Sequence, residues 1–501
     1  MKTDAQLKTP FLDALISYVQ SSPIPFDVPG HKLGRLTTDL SRKLSSKILG
    51  YDANAPIGLD NLYNARGVIK ESEDLMAKLC HADHCLYSIN GTTGGILAMF
   101  LATLDNKDKV ILPRNSHKSV INALIISGAV PIFISPDIDE ELGIANGVST
   151  KTYIQAMEEH PEAKAIFVIN PTYFGICSDL ATIAREAHKR NMIVLVDEAH
   201  GSSFYFGENL PLSAMAAGCD VSSVSMHKNS GSLTQSSLIL TKGNRVEYSE
   251  IKRAFSMLSS TSPNPLLIAS LDAARKEMYV RGKELYRKDI ELALYAKKEI
   301  SRIPGLSCRT KKEILAHRKD DSIFDVDETK LVISVRGLGL YGYDVYKELR
   351  VSDNIQLELG EIFVVLALIG PGTRKSDVDR LIKALWRLSD RHYGERKTKR
   401  RYTYLYSFPK TIVPPREGYD APSKIVSLRD AVGEISAETV MAYPPGIPLV
   451  IPGELISQDT IRMIEFYYRE KGEVLKDSEP RKIKVIDRSK WYLSREFPIL
   501  G

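Results

Sequence analysis

The sequence predicts an α/β protein built around a mainly parallel sheet, and three observations support this class. Apolar runs of strand length recur along the chain and alternate with segments of helical periodicity. Two of the runs, at 165–169 and 193–196, are continuously apolar, which is typical of parallel strands covered on both faces. Polar residues follow directly where several runs end, and functional residues of such sheets lie just beyond the carboxyl ends of the strands.

Local signals place the individual elements in chain order. Leu12, Leu15, Ile16 and Val19 lie on one face of a helix predicted over 7–20. Further strands are predicted at 86–90, 110–112, 130–134, 165–169 and 193–196, and further helices at 96–101, 119–127, 154–160 and 183–189. This alternation predicts parallel strands joined by helical crossovers.

The remainder of the chain predicts smaller units. Strands at 330–335 and 362–366, with helices at 342–349 and 376–388, indicate a smaller α/β unit. A compact C-terminal piece should contain helices at 428–441 and 456–470. The predicted domains are an N-terminal helix and arm at 1–30, a large domain at 31–295, a small α/β domain at 296–392, and a linker with a C-terminal domain at 393–501.

Composition points to a globular protein of a reducing compartment. Of 501 residues, 43% are hydrophobic, and 67 basic against 62 acidic side chains give a net charge of +5. The basic run at 396–401 is interpreted as a solvated linker, because no aromatic stacking motif accompanies it. No apolar stretch approaches the roughly 18 residues of a membrane span. Five cysteines without a CxxC pair indicate a cytoplasmic location, and neither nucleic acid nor membrane is an expected partner.

The stretch Cys80-His81-Ala82-Asp83-His84-Cys85 contains several possible metal ligands. Zinc sites usually divide their ligands between two distant pairs, whereas this stretch runs directly into a predicted strand. We therefore expect no metal at this position.

Lys228 is a candidate Schiff-base former. It follows an apolar run and lies among small polar residues in Ser225-Met226-His227-Lys228-Asn229-Ser230. An amine performs this chemistry when burial and neighbouring cations lower its pKa towards neutrality. A lysine of a surface loop is the alternative for this residue considered alone, so its other expected neighbours decide the interpretation.

A second stretch, Asn90-Gly91-Thr92-Thr93-Gly94-Gly95, resembles a phosphate-binding turn. It lies between a predicted strand and a predicted helix, where free backbone N–H groups and the helix dipole favour an anion. The lysine of a P-loop and the spacing of a dinucleotide fingerprint are both missing. We expect a single small phosphate ester.

Asp197 follows four apolar residues directly, so its carboxylate would need a cationic partner if it is buried with them. An aspartate that caps the next turn is the alternative. A protonated heterocycle nitrogen would be a suitable partner, and Lys228 follows 31 residues later.

In this order, the motifs resemble fold-type-I (aspartate aminotransferase-like) pyridoxal-phosphate enzymes, and more closely the prokaryotic ornithine/lysine/arginine decarboxylase family. The similarity extends over nearly the whole chain. It rests on Pro29-Gly30-His31-Lys32, Asn90-Gly91-Thr92-Thr93-Gly94, Arg114-Asn115-Ser116-His117-Lys118-Ser119, Pro171-Thr172-Tyr173-Phe174-Gly175, Asp197-Glu198-Ala199-His200-Gly201, Ser225-Met226-His227-Lys228, Leu233-Thr234-Gln235-Ser236-Ser237, Thr261-Ser262-Pro263, Val413-Pro414-Pro415-Arg416-Glu417 and Tyr443-Pro444-Pro445-Gly446-Ile447-Pro448.

The resemblance implies a role for each matching residue. Lys228 would hold pyridoxal 5′-phosphate covalently, Asp197 would pair with its pyridine nitrogen, and His200 would lie near the reacting groups, where it or Lys228 acts as the acid. The remaining cofactor contacts are His117 stacked on the ring, Ala199 beneath it, Thr92, Thr93, Gly94, Ser225 and His227 at the phosphate, and Thr261 or Ser262 at the partner subunit's cofactor.

The implied reaction is decarboxylation of a basic L-amino acid in polyamine synthesis. Arginine, which would give agmatine, is the first expectation, with lysine to cadaverine or ornithine to putrescine as alternatives. An aminotransferase would instead need an arginine to clamp the α-carboxylate, and a non-catalytic relative would not need Lys228, Asp197 and His117 together. The expected substrate contacts are His31, Thr172, Glu417 and Glu454, the two glutamates being available for the distal cation.

The resemblance also implies an assembly. The first motif begins by Phe26, so we expect a short form of the family without an N-terminal wing domain. A homodimer or a dimer of dimers with shared active sites is expected, because the phosphate site of this fold borrows residues from a neighbour.

Overall fold

The computed structural model describes residues 4–394, 409–443, 446–469 and 472–494. The chain divides into two compact units. The first comprises Met1–Thr103 and Ile193–Lys288, and the second comprises Leu104–Met192 and Asp289–Gly501.

The first unit carries four sheet strands, in the order His84–Ser88, Ser237–Thr241, Val221–Val224 and Ile193–Glu198. The last two strands are parallel, whereas Ser237–Thr241 is antiparallel to both of its neighbours. The helices of this unit are Pro10–Gln20, Asp39–Leu44, Ser46–Gly50, Val68–Leu79, Gly91–Thr103, Ala214–Ala217, Met226–Asn229, Tyr248–Met257 and the first part of Pro265–Ile300.

The helix Gly91–Thr103 packs closely on the strand Val221–Val224. A Cβ at Gly95 would lie 2.1 Å from Ser223 Oγ, so only glycine permits this approach. The helix begins where the strand His84–Ser88 and a short turn end, and its first turn is therefore held against the sheet.

The second unit contains a three-stranded parallel arrangement in the order Ala165–Ile169, Lys109–Pro113 and Val130–Ile134. The first and second strands are fully apolar at their centres, and Ile111, Ile166 and Phe167 are completely buried. The helices beside them in the chain are Lys118–Ser127, Thr150–Glu159 and Leu180–Lys189, and the short strands are the hairpin Ile138–Asp139 with Ile144–Ala145 and the pair Ile176–Cys177 with Asp325–Val326.

Two further antiparallel parts complete this unit. Lys330–Ser334, Val364–Leu368 and Leu359–Gly360 form one sheet, packed with the helices Gly342–Ser352 and Lys375–His392. The helix Lys311–Ala316 precedes the strand Asp325–Val326. The C-terminal elements are the helices Pro415–Asp420, Gln458–Arg469 and Arg488–Ser494 and the strands Ser423–Ser427 with Lys482–Ile486, and Ile447–Val450 with Val440–Tyr443 and Glu473–Leu475.

Most of the predicted elements are confirmed. The helix predicted over 7–20 is Pro10–Gln20, and the strands predicted at 130–134 and 165–169 have these bounds. The helix predicted at 428–441 is wrong. This stretch instead contains a short 3-10 turn, Arg429–Ala431, and the beginning of the strand Val440–Tyr443, because Gly433 adopts a positive φ that interrupts a helix.

Some predictions concern residues that the structure does not describe, or domain limits. The basic run at 396–401 lies outside the described residues, as does part of the motif at 443–448. The four domain limits stay predictions. No helix within the described ranges is both long and apolar enough to cross a membrane.

Candidate active site

Lys228 and His200 form the centre of the candidate site in the first unit. Ser225 joins the strand Val221–Val224 to the short helix Met226–Asn229, and this helix carries Lys228. Lys228 Nζ lies 2.8 Å from His200 Nε2. His200 is 4% exposed and Lys228 is half-buried, so the contact is partly shielded from water. A hydrogen bond of this kind between an amine and an imidazole permits transfer of a proton between them.

Asp197 lies at the same edge of the sheet. It is near the end of the strand Ile193–Glu198, which runs parallel to Val221–Val224 with Asp197 opposite Ser223. The carboxylate is 6% exposed, and its Oδ1 accepts a hydrogen bond from Ala199 N at 3.0 Å. Because parallel strands end at one edge, the register places Asp197 and the segment that leads to Lys228 at the same edge, although 31 residues separate them.

Glu198 was not predicted as part of the site. Strand alternation directs it away from Asp197, and it is completely buried. Its carboxylate accepts hydrogen bonds from Ser222 Oγ at 2.6 Å, from Ala214 N at 2.8 Å and from the Tyr205 hydroxyl. Burial raises the pKa of Glu198 to about 7 against the opposing effect of these three donors. The sequence signal that could have identified Glu198 was a second acidic residue directly after Asp197 at the end of an apolar run.

The predicted phosphate turn forms the first turn of the helix Gly91–Thr103. Thr92 is buried, and its hydroxyl hydrogen-bonds Ser225 Oγ, so residues from two motifs meet here. Gly91 N donates to Gln235 O at 2.8 Å, which ties the turn to the segment after Lys228. Thr93 is exposed. The helix N-terminus and adjacent hydroxyls are the groups that bind phosphate.

His227 and the residues of the 261–263 motif also lie in the first unit. His227 is half-buried, and its Nδ1 lies 3.0 Å from Ser236 O. Thr261 and Ser262 are both exposed. His31 is half-buried, with Nε2 3.0 Å from Asp52 Oδ2 and with Nδ1 accepting from Gly34 N at 3.2 Å. Its imidazole therefore stabilises the turn that carries it.

His117 is exposed and caps the helix Lys118–Ser127 in the second unit. Its Nδ1 accepts a hydrogen bond from Ser119 N at 3.2 Å and lies 2.9 Å from Ser119 Oγ. Both contacts are made by Nδ1, and they orient the imidazole ring of His117. Thr172 is 4% exposed, and its hydroxyl accepts from Ile176 N at 3.2 Å, which closes a local turn.

Glu454, an expected substrate contact, has partners within the second unit. This residue is completely buried, and both carboxylate oxygens accept hydrogen bonds from Arg114, with Nη2 and Oε2 2.8 Å apart. Oε2 also accepts from Ile451 N at 2.9 Å. Arg114 thus neutralises the carboxylate within the second unit, and the expected contact of Glu454 with a substrate stays a prediction. Glu417, half-buried in the helix Pro415–Asp420, stays a prediction.

The described residues were also compared with the requirements of a metal site. In residues 4–394, 409–443, 446–469 and 472–494, no group of three or more His, Cys, Asp or Glu side chains is arranged to hold a metal. All five cysteines are buried and free, Cys80 and Cys85 among them.

The fold is that of the fold-type-I pyridoxal-phosphate enzymes. The lysine decarboxylase of Francisella novicida superposes with a TM-score of 0.83 at 20% identity, over 96% of this chain and 82% of that one. The constitutive lysine decarboxylase structure of E. coli gives a TM-score of 0.81 at 19% identity, over 96% and 82%. At these identities the likeness establishes the architecture.

Sequence comparison establishes the family. The Orn/Lys/Arg decarboxylase major domain matches residues 9–377, and the C-terminal domain of the same family matches residues 399–472. The chain is 40% identical over 462 residues to the arginine decarboxylase of Bacillus subtilis, covering 92% of this chain and 94% of the relative. It is 40% identical over 461 residues to that of Halalkalibacterium halodurans, covering 92% and 93%.

A more distant relative is the constitutive lysine decarboxylase of Escherichia coli, 24% identical over 554 residues, which cover 91% of this chain and 76% of the relative. The chain belongs to the Orn/Lys/Arg decarboxylase family. It is an amino acid decarboxylase, a carboxy-lyase of a family that depends on pyridoxal phosphate.

Proposed function

We propose that this chain converts L-arginine to agmatine and CO₂ with pyridoxal phosphate bound at Lys228. The observation that carries the proposal is the partly buried contact of 2.8 Å between Lys228 Nζ and His200 Nε2, beside the strand end that bears Asp197. Arginine is preferred as substrate because two arginine decarboxylases are 40% identical to this chain, against 24% for the lysine decarboxylase of E. coli.

The side chains of the first unit fit this cofactor. Lys228 offers an amine for its aldehyde, and Asp197 offers a buried carboxylate that a protonated pyridine nitrogen would neutralise. Thr92 and Ser225, at the N-terminus of a 13-residue helix, offer hydroxyl and N–H groups for its phosphate. His117 belongs to the second unit, and its stacking on the ring stays a prediction.

When bound, the cofactor supplies an electron sink for the electron pair that remains on Cα when CO₂ leaves. The carboxylate of Asp197 would keep the pyridine nitrogen of the cofactor protonated, which strengthens that electron sink. Lys228 and His200 exchange a proton across their contact, so either can deliver it to Cα after CO₂ has left. Positioned proton transfer of this kind contributes about 10²- to 10⁴-fold to the rate.

We further propose a cytoplasmic homodimer that acts in polyamine synthesis. The buried free cysteines support a reducing compartment. A second copy is supported by apolar side chains of the first unit that face solvent, among them Phe26 at 94%, Ile57 at 102% and Met257 at 71% exposure. Thr261 and Ser262, also exposed, are available to a neighbour's cofactor. Sedimentation velocity would give the mass of a monomer if the dimer is wrong.

The decisive test measures CO₂ release from purified, cofactor-loaded protein given arginine, lysine and ornithine separately at equal concentrations. We expect release mainly from arginine, and none after Lys228→Ala, with circular dichroism confirming that this variant is folded. Lys242→Ala is a matched control, because Lys242 also follows a strand of the first unit but its Nζ donates to Met215 O. This control should retain activity.

Each other result has a defined meaning. Preferential release from lysine or ornithine would replace the proposed substrate and keep the reaction. A keto product without CO₂ would favour aminotransfer. Full activity of Lys228→Ala would contradict the assigned role of this lysine.

A further inference from the structure

Side-chain hydrogen bonds tie the segment that carries His200 to the segment that carries Lys228. Asn229 Nδ2 donates to His200 O at 3.1 Å. One residue further along, Ser230 Oγ lies 2.9 Å from Ser202 Oγ. The two links connect consecutive residues after Lys228 with the residues at and just after His200, and they lie beside the contact between the two functional side chains.

Tyr286 closes this network from a third element. It lies on the helix Pro265–Ile300, and its hydroxyl donates to Asn229 O at 2.9 Å and lies 2.9 Å from Ser230 Oγ. A Cβ at Gly207 would approach Tyr286 Cβ to 3.0 Å, so the ring fills its site closely. The side chains of this network are shielded from solvent, because Tyr286 is 1% exposed and Ser230 and Ser202 are completely buried.

The contact between Lys228 and His200 needs such support. The lysine side chain is long and flexible, and its amine stays 2.8 Å from the imidazole only if the two backbone segments keep a fixed separation. A buried hydrogen bond that loses one partner leaves a polar group unsatisfied, which destabilises the arrangement of the two segments. A displacement of about 1 Å at a reacting group can reduce a rate by about 10².

We infer that Asn229, Ser230 and Tyr286 are positioning residues that hold the Lys228 amine against His200 and thereby set the rate of proton delivery. The inference rests on the proposed function, since it concerns the same amine and imidazole. None of the three side chains needs to touch the substrate, because they act through the two residues they connect.

The test compares Tyr286→Phe and Asn229→Ala with the wild type as cofactor-loaded enzymes. We expect kcat to fall about 10- to 100-fold, with KM changed less than about twofold, because positioning acts on the chemical step. The pH dependence of kcat should shift, since the Lys228–His200 pair exchanges the proton. The visible absorption band of the bound cofactor should persist but change its own pH dependence.

Two further variants keep the test decisive. Tyr279→Phe removes a hydroxyl from the same helix, where Tyr279 is 39% exposed and bonds Asp4, and it should match the wild type in every readout. Ser230→Ala removes only a hydroxyl and should lower kcat even if Tyr286→Phe fails to fold. Wild-type kcat and an unshifted pH profile in Ser230→Ala and Asn229→Ala would overturn the inference.

Failure of this inference is distinguishable from failure of the proposed function. Absence of CO₂ release by the wild type contradicts the function. The pH dependence of the visible band reports on the lysine–histidine contact without turnover, so the positioning role is judged from the variants' spectra relative to the wild type.

Discussion

At the scale of single residues, Asp197 occupies a position that is unfavourable for a carboxylate alone. It is 6% exposed, and its neighbour Glu198 is a second buried acid that already has three donors. Strand alternation points the two side chains to opposite faces of the sheet, and the three donors to Glu198 come from one of them. The proposed role of Asp197 rests on its position near a strand end beside the strand that leads to Lys228.

Replacement of Asp197 tests that assignment. Asp197→Asn preserves the size of the side chain and its acceptor for Ala199 N but removes the charge. We expect part of the cofactor to remain bound and kcat to fall by about 10²- to 10³-fold, the usual effect of losing one preorganised electrostatic contact. Spectrophotometric titration and CO₂ release measure the two quantities. An unchanged kcat would show that another group stabilises the charge.

At the scale of elements, Arg114 and Glu454 join a strand end to the C-terminal part of the second unit. Arg114 follows the strand Lys109–Pro113, is 1% exposed, and stacks its guanidinium 4.6 Å from the centre of the Phe133 ring. His117 lies three residues further along the same segment. The buried pair thus anchors the segment that presents His117.

Loss of one partner of this pair should be costly. Glu454→Gln leaves a buried guanidinium without its counter-charge, and we expect the free energy of unfolding to decrease by about 3–5 kcal/mol. Denaturant titration measures it. Glu162→Gln is the matched control, because Glu162 pairs with exposed Lys109 at the other end of the same strand, and no measurable change is expected. Equal stability of both variants would contradict the anchoring role.

At the scale of the whole molecule, buried acids make stability depend on pH. Burial raises the pKa of Glu73 to about 8 and that of Glu361 to about 8. Glu73 is 1% exposed, and its Oε1 accepts from Tyr87 N at 2.9 Å. Between the ordinary pKa of 4.5 and about 8, the folded protein binds more protons at this residue than the unfolded chain does. Stability should therefore fall as pH rises through this window.

Removal of Glu73 isolates its contribution. In Glu73→Gln, we expect the decline in unfolding free energy between about pH 5 and pH 8 to be shallower, by at most about 1.4 kcal/mol per pH unit. Urea titrations at several pH values measure the slope. Glu71→Gln, an exposed acid on the same helix, should leave the slope unchanged. An unchanged slope in Glu73→Gln would show that this carboxyl is ionised in the folded state.

The sequence predicted those features that depend on neighbours in the chain. Continuous apolar runs indicated parallel strands, because a strand covered on both faces must be apolar at every position. The turn at 90–95 and the segment with Lys228 were recognisable because small polar residues and glycines followed predicted strands, where functional residues of such sheets lie. The short helix that carries Lys228 was not predicted. The helix predicted at 428–441 failed, since periodicity alone did not weigh the positive φ at Gly433.

Only the tertiary structure identified the partners. Glu454 seemed available for a substrate, but it pairs with Arg114, 340 residues earlier in the chain. Tyr286 lies 57 residues from Asn229, on a helix whose sequence does not single it out. The local pattern of apolar and polar residues in the sequence indicates whether a side chain is buried. Which group satisfies that side chain depends on contacts between distant segments, because the burial of a charge or hydroxyl is compensated wherever the fold supplies a partner.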